Sequence, residues 1–312
     1  MAEQLLPCDD FNAELVRLRA AGARLESLWP ADDPHSALLS RDGQHFRLTS
    51  RPDAPPPSGA LPAFRPEFLL TRAGAEAGAG RAGMAYRDLL PGRLGGHIIA
   101  SHIHVPDGPV ADWVHYHRVA LQLIVVRRGR VRVVYEGQGE PFVMAPGDLV
   151  LQPPGIRHRV LEAADGLEVV ELGAPACHET FADHDMTLPT GRGDQARRWE
   201  GQLFLHHRAA DTPWTAWQGG EAQETMLHAA TGGLAEARIL RPGIAKAIDV
   251  PPHDGELVFG FVLEGTARLD HDGPHALAPA DAFAIPPHLA WALTAMSEDF
   301  RLLYVTTRDL TQ

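Results

Sequence analysis

From Gly96 onward the chain is a succession of short apolar runs separated by Gly, Pro and Asp turns. The runs are rich in Val, Ile and Leu, and several alternate apolar and polar positions, as a strand with one buried face does. Regular spacing of such runs is typical of a β-sandwich or barrel. We therefore predict an all-β fold, from runs such as GHIIASHIHV, ALQLIVV, RVRVVYEG, DLVLQPP and LEVVELG.

The N-terminal segment has a different pattern. Leucines recur among Ala, Arg and Glu between Asp10 and Trp29, and Asp10 stands where an N-cap would. This predicts one amphipathic helix. Between Pro30 and Pro62 the composition changes to Pro, Asp, Ser and Arg, which predicts an extended surface arm. The leucines of the predicted helix are Leu15, Leu18, Leu25 and Leu28.

The β-rich region contains one pattern twice. QLIVVRRGRVRVV is followed by PGDLVLQPPGIRH, and later VFGFVLEGTARLD is followed by PADAFAIPPHLAW. Aligned on Gly129 and Gly265, each copy has an apolar strand on both sides of the glycine. Aligned on Asp148 and Asp281, each has a strand that ends in Pro-Pro. The predicted segments are a helix and Pro-rich arm at 1–62, a first barrel at 63–188 and a second barrel at 189–312.

Three histidines stand out in the first copy. His115 and His117 flank Tyr116 on a predicted strand, so both imidazoles project to one face. If a neighbouring strand begins at His158, a third imidazole reaches the same point. Neutral imidazoles in a barrel interior suit Fe, Mn, Co, Ni, Cu or Zn. We predict one divalent transition metal per chain, bound by His115, His117 and His158.

These residues resemble the motifs of the cupin superfamily. The family has HxH, an acidic residue and a glycine, and later Gly-Asp, Pro-x-Gly and a histidine. The second copy makes the chain similar to a bicupin, which implies two jelly-roll barrels in tandem. The matching positions are HYH at 115–117, Gly129, Gly147-Asp148, Pro153-x-Gly155 and His158.

One departure concerns the glutamate ligand of the family, which corresponds to Gln122. Glutamine neither neutralises metal charge nor acts as a base at ordinary pH. We expect such a centre to favour an anionic bidentate ligand, such as an enolate, a catecholate or an α-oxo carboxylate. Gln122 is either a direct metal ligand or a hydrogen-bond partner beside the ligands, and in both roles it lines the site.

The second copy departs further. Its positions equivalent to HxH, the acidic residue and the last histidine hold Pro251, His253, Val258 and Trp291. One histidine cannot hold a metal, so this barrel is expected to be structural, a dimerisation surface or a metal-free pocket. Such a pocket would be lined by Phe259, Phe261 and Trp291.

Other side chains near the motif have weaker signals. Glu162 shares strand parity with His158, which makes it the candidate acid or base. Ile124 and Val160 are expected to exclude water from the site. His102 and His104 form another HxH, but no partner follows at motif spacing, so we expect surface or subunit contacts there.

Three-histidine cupins similar to this chain use ferrous iron to activate dioxygen and cleave carbon–carbon bonds. The resemblance therefore implies an Fe(II) dioxygenase acting on a small aromatic or β-dicarbonyl substrate, and we predict Gln122 and Glu162 as its catalytic residues. Zn, Mn, Ni, Co and Cu stay open. The alternatives are a non-catalytic small-molecule-binding bicupin and, ranked last, a metal-assisted isomerase or decarboxylase, which would need a carboxylate.

The composition and net charge of the chain restrict the classes of partner that it is expected to bind. The net charge of −12 and the pI near 5.7 argue against nucleic acid and anionic membranes. Cys8 and Cys177 are far apart, which suggests neither a disulfide nor a thiolate zinc site and fits a reducing cytoplasm. No apolar run approaches the roughly 18 residues that span a bilayer. We expect a small-molecule substrate and, from the resemblance, a homodimer.

Overall fold

The computed structural model describes residues 4–79 and 83–311. Strands dominate these residues, and the prediction of an all-β fold is confirmed. None of their helices is long and apolar enough to cross a membrane. The helices are α1 (Phe11–Ala20), α2 (Arg93–Gly96), α3 (Leu227–Ala230) and a 3-10 turn at Ala209–Asp211.

The N-terminal segment is partly helical and partly β. Asp10 caps α1, because its Oδ1 accepts a hydrogen bond from Ala13 N at 3.0 Å. The helix ends at Ala20, just before Gly22 adopts a left-handed φ of 88°. The prediction of helix up to Trp29 is therefore wrong for its second half, which is a strand. The strands here are β1 (Gln4–Pro7), β2 (Arg24–Trp29), β3 (Ser36–Arg41) and β4 (Gln44–Thr49).

The predicted arm is likewise only partly irregular. β3 and β4 form a hairpin inside it, and β2 joins this hairpin to the first barrel. Apolar residues of α1 and of these strands pack together, including Phe11, Leu25 and Leu39. The Pro-rich stretch that follows the hairpin has no helix or strand up to residue 68.

The first barrel is built around two long antiparallel strands, β11 (Leu121–Tyr135) and β14 (His158–Ala174), which pair along most of their length. The strands from residue 69 to 207 are β5 (Leu69–Thr71), β6 (Gly78–Ala79), β7 (Ala85–Asp88), β8 (Ile99–His104), β9 (Gly108–Pro109), β10 (His115–His117), β11 (Leu121–Tyr135), β12 (Phe142–Met144), β13 (Leu149–Leu151), β14 (His158–Ala174), β15 (Thr180–Ala182), β16 (Arg198–Trp199), β17 (Gln202–Leu203) and β18 (Leu205–His207).

The second barrel has two sheets, with the strand orders β19-β20-β21-β28-β23-β26-β5 and β22-β27-β24-β25. Two strands cross between the predicted segments: β5 pairs with β26 of the second barrel, and β18 pairs with β13 of the first. The remaining strands are β19 (Thr215–Trp217), β20 (Gly220–Glu224), β21 (Ala235–Arg241), β22 (Ile248–Val250), β23 (Leu257–Glu264), β24 (Ala267–Asp270), β25 (Pro274–Leu277), β26 (Ala282–Ile285), β27 (Trp291–Thr294) and β28 (Arg301–Thr307).

Side chains fill the interior of the second barrel. Phe283 and Trp291 pack there, and a Cβ on Gly260 would lie 2.2 Å from the Phe283 ring. Phe259 and Phe261 face the other way, into the apolar layer that joins the two barrels. The prediction of a metal-free pocket lined by Phe259, Phe261 and Trp291 is therefore wrong. Phe259 and Phe261 lie on one side of β23, whereas Trp291 packs on the other side, in the filled interior of the barrel.

Candidate metal centre

Three imidazoles converge inside the first barrel. His115 is the register partner of His158 on the adjacent strand, and His117 lies two residues further along β10. One ring nitrogen of each residue lies within 4.8 Å of the other two. All three side chains are buried. Strand alternation thus places the predicted ligands around one point.

Hydrogen bonds fix the orientation of the rings. The Nδ1 atoms of His115 and His158 face the carbonyl oxygens of Trp113 at 2.8 Å and Ile156 at 3.0 Å. A carbonyl only accepts, so each Nδ1 donates and the lone pair of the neutral ring is on Nε2. The Nδ1 atom of His117 lies 3.1 Å from Thr180 Oγ1. The tautomers of His115 and His158 are thus fixed, and the three imidazoles fit a divalent transition metal, which His115 and His158 would hold through Nε2.

Asp112 supports the first of these ligands. Its Oδ1 lies 3.4 Å from His115 Nδ1, and its Oδ2 accepts a hydrogen bond from Val160 N at 2.9 Å. A carboxylate behind a metal-binding histidine fixes the ring and raises its basicity. Sequence reasoning missed Asp112, although an acidic residue three positions before the HxH was a usable signal.

Gln122 lines the cavity, as predicted, and binds a carboxylate that sequence reasoning missed. Its Nε2 donates to Oε1 of Glu171 at 2.7 Å. This bond identifies the amide nitrogen, so the amide oxygen of Gln122 is directed away from Glu171. Glu171 lies on β14 opposite Ile124 and also lines the cavity. The barrel interior therefore contains a carboxylate next to the position where the family has its glutamate ligand.

Glu162 is not at the cavity. It is exposed and is not among the residues that line the cavity. The strand register explains the error, because Arg132 pairs with Glu162 while Val133 pairs with Val160. Leu161 is thus an extra residue, a β-bulge, and it reverses the side-chain alternation beyond it. The expectation that Glu162 faces the histidines is corrected accordingly.

The cavity beside His117 and His158 has mainly apolar walls. Ile124 and Val160 lie among them, as predicted. The ring of Tyr135 stacks on His158 with centroids 5.4 Å apart, and burial raises the pKa of this phenol, so it remains neutral. None of the described residues that line the cavity is an arginine or a lysine.

A second group of ligand-type side chains lies outside the cavity: His102, His104 and Glu168. Arg87 Nη2 lies 3.1 Å from His102 Nδ1, and His102 Nε2 lies 2.9 Å from Glu168. Arginine only donates, so His102 carries its proton on Nε2 and donates it to Glu168. Arg127 also forms a salt bridge with Glu168. The positive charges of Arg87 and Arg127 would repel a metal cation bound at this position.

The surroundings of His102 therefore indicate a structural role and not metal binding. It is buried, and its ring centroid lies 5.3 Å from that of Phe261 in the second barrel, so the surface location predicted for it is wrong. Burial, followed by the charges of His104 and Arg87, lowers the pKa of His102 to about 4. We infer that His102 helps to join the barrels.

Comparison with known proteins agrees with this architecture. Residues 101–172 match the family model of the cupin domain. The oxalate decarboxylase of Bacillus subtilis at pH 4.6 superposes with a TM-score of 0.57 and 12% identity, covering 81% of this chain and 79% of that one. The formate complex of the Lactobacillus farciminis oxalate decarboxylase gives a TM-score of 0.56 and 14% identity, over 81% and 89%. No curated protein sequence matches significantly.

Residues 101–172 are thus similar to a cupin domain, and the chain as a whole has the tandem two-barrel fold of a bicupin. Its first barrel contains the histidine metal site, and the equivalent interior of its second barrel is packed with aromatic and aliphatic side chains. At identities this low, the solved structures show the fold alone.

Proposed function

We propose that this protein is an Fe(II)-dependent cupin dioxygenase that cleaves a small β-dicarbonyl or aromatic substrate. The observation that carries the proposal is the convergence of three neutral imidazoles with no carboxylate among them. Such a ligand set leaves the metal charge uncompensated and coordination positions open. Ferrous iron, when bound, would supply the activation of dioxygen.

The residues around the histidines support proton transfer from the substrate. Glu171 has its carboxylate in the cavity, and Gln122 holds it by a hydrogen bond of 2.7 Å. A β-dicarbonyl or catechol must lose a proton to become a chelating anion, and Glu171 is the carboxylate placed to accept it. The buried amide of Gln122 orients this base and lines the substrate position.

The walls of the cavity favour a substrate with little charge. They are mostly aliphatic and aromatic, and Glu171 is their only carboxylate among the described residues. No described lining residue is a cation that could balance a second negative charge. Away from the metal, the cavity therefore suits an apolar or neutral part of the substrate better than a second charged group.

The binding partners of the protein are also proposed, from its charge and from the family resemblance. The net charge of −12 supports a protein that binds neither nucleic acid nor anionic membranes. A small molecule is the proposed partner, and the homodimer expected from the family resemblance remains a prediction.

Oxygen uptake by anaerobically purified, iron-loaded protein tests the proposal. We expect dioxygen consumption that depends on a β-dicarbonyl or catechol, with cleavage products detected by mass spectrometry. His158→Gln should abolish uptake while the far-ultraviolet circular dichroism stays unchanged. Uptake that is absent with all tested enolisable and catecholic compounds would contradict the dioxygenase.

Glu171 also gives support to a second candidate, metal-assisted isomerisation or decarboxylation. That chemistry needs a carboxylate base, which the sequence had not revealed in the cavity. Product formation under argon would distinguish it, since a dioxygenase requires oxygen. Tight ligand binding without turnover in either atmosphere would instead indicate a non-catalytic binding protein.

A further inference from the structure

Gln152 follows β13 directly and lies at the wall of the cavity. Its side chain is only 1% exposed. Its backbone N–H donates to the carbonyl of Gln122 at 2.9 Å, so the two residues face each other across neighbouring strands. Opposed residues direct their side chains to the same face. Gln152 therefore stands beside Gln122, in the cavity that His117 and His158 also line.

The amide of Gln152 has no hydrogen-bond partner among residues 4–79 and 83–311. Both Nε2 and Oε1 are buried and unpaired, in a cavity whose walls are otherwise mainly apolar. Buried polar groups are nearly always paired, and an unpaired one destabilises the fold. A leucine or methionine would fill the same space without this penalty. The unpaired amide therefore points to a ligand that completes it.

Charge restricts the ligand group that can pair with Gln152. Glu171, Gln122 and Gln152 lie on three adjacent strands and form a polar strip on the cavity wall. Glu171 repels a second anionic group at this strip, and none of the described lining residues is a cation that would attract one. A primary amide offers one donor and one acceptor side by side. The complementary group is neutral and presents its own N–H or O–H next to a carbonyl.

We propose that Gln152 is the specificity-determining residue of this cavity and that the substrate is a β-dicarbonyl compound ending in a carboxamide. The substrate N–H donates to Gln152 Oε1, while the dicarbonyl end lies toward the three histidines. This assignment rests on the proposed function only in placing the substrate in this cavity. It makes no use of the oxygen reaction.

Binding without turnover tests the assignment. Acetoacetamide and acetylacetone differ by an NH2 group in place of a methyl group, and they also differ in acidity, so recognition of the donor is measured by the change in their affinity ratio between wild type and variant. Calorimetric titration of zinc-loaded protein should show a preference for acetoacetamide over acetylacetone that is at least about tenfold greater in the wild type than in Gln152→Met. Gln152→Met should also raise the Tm of the metal-free protein because it removes an unpaired buried amide.

Gln202→Met is the matched control. Gln202 is also buried, but it does not line the cavity; its Nε2 donates to the carbonyl of Ala120, and only its Oε1 is unpaired. This variant should keep the ligand preference and should not gain thermal stability. If Gln152→Met fails to fold, Gln152→Asn provides a second test. This variant shortens the side chain by one methylene, so its amide lies further from the ligand and the preference should likewise fall.

An unchanged preference in Gln152→Met would overturn the assignment, as would a lowered Tm in the metal-free variant or failure of wild-type protein to bind either compound. The result is separable from the proposed function. A preference that depends on Gln152, in a protein that consumes no oxygen when loaded with iron, would retain the assignment and reject the dioxygenase.

Discussion

Gln122 donates a hydrogen bond of 2.7 Å from its Nε2 to Oε1 of Glu171, and this contact joins two adjacent strands inside the first barrel. The carboxylate that the family motif has at position 122 is thus replaced by one on the neighbouring strand. In this arrangement the carboxylate is hydrogen-bonded to an amide and is not grouped with the three histidines. We interpret this arrangement as a separation of two roles, in which the three histidines bind the metal and Glu171 accepts the proton.

Glu171→Gln should lower turnover by about 10²- to 10⁴-fold, the usual contribution of a positioned general base. The substitution keeps the size of the side chain, so metal content should remain unchanged. Glu162→Gln is the control, because it makes the same chemical change on the same strand at an exposed position. Steady-state kinetics with the metal content measured on the same samples would check this. Equal activity of both variants would exclude Glu171 as the base.

Asp112→Asn should weaken metal binding by about 10- to 100-fold, as is typical when the carboxylate behind a histidine ligand is removed. The loss arises because Asp112 Oδ1 lies 3.4 Å from His115 Nδ1. Competition with a chromophoric chelator for zinc would measure it. Asp165→Asn, at an exposed position of β14, should leave affinity unchanged. An Asp112→Asn protein with wild-type affinity would show that this carboxylate only supports the fold.

Acidification should destabilise the protein through His102. Its pKa is about 4 in the folded protein and 6.5 as a free side chain, so the unfolded chain binds more protons between these values. The free energy of unfolding therefore falls as the pH drops from 6.5 to 4, by up to roughly 3 kcal/mol from this group. Urea denaturation of His102→Gln should show a shallower loss over that range.

The exposed His45→Gln variant should follow the wild-type pH profile. Parallel profiles for wild type and His102→Gln would contradict the role assigned to burial at the contact between the barrels.

Gly260→Ala should destabilise the protein by about 1–3 kcal/mol, because the added Cβ would lie 2.2 Å from the ring of Phe283. Phe283→Leu should relieve this clash, so the double variant should be more stable than the sum of the two single effects predicts. Denaturant titration of the four proteins would measure the coupling. Strict additivity would indicate that Phe283 does not fill the second barrel as described.

Much of the metal centre could be predicted from local patterns. Alternation on a strand was enough to place His115 and His117 on one face, and the resemblance to the cupin motif predicted that His158 would join them. These positions depend only on short stretches with regular geometry. The same reasoning failed for Glu162, because the bulge at Leu161 shifts the register by one residue and a bulge has no clear signal in this sequence.

Other features depend on contacts that are distant in sequence. Glu171 follows further register irregularities in β14, so its face could not be counted from His158. Apolar layers lie on both sides of β23, so Phe259 and Phe261 would be buried on either face. Their hydrophobicity therefore does not predict which face they occupy. The helix prediction extended past Gly22 because Leu25 and Leu28 fit helical spacing as well as a buried strand.

Elemental analysis of two variants tests the location of the metal most directly. Wild-type protein should contain about one transition metal per chain. His158→Gln should contain almost none, whereas His104→Gln, which alters the other histidine group, should keep the wild-type content. Metal retained by His158→Gln and lost by His104→Gln would contradict the central claim and place the ion outside the barrel.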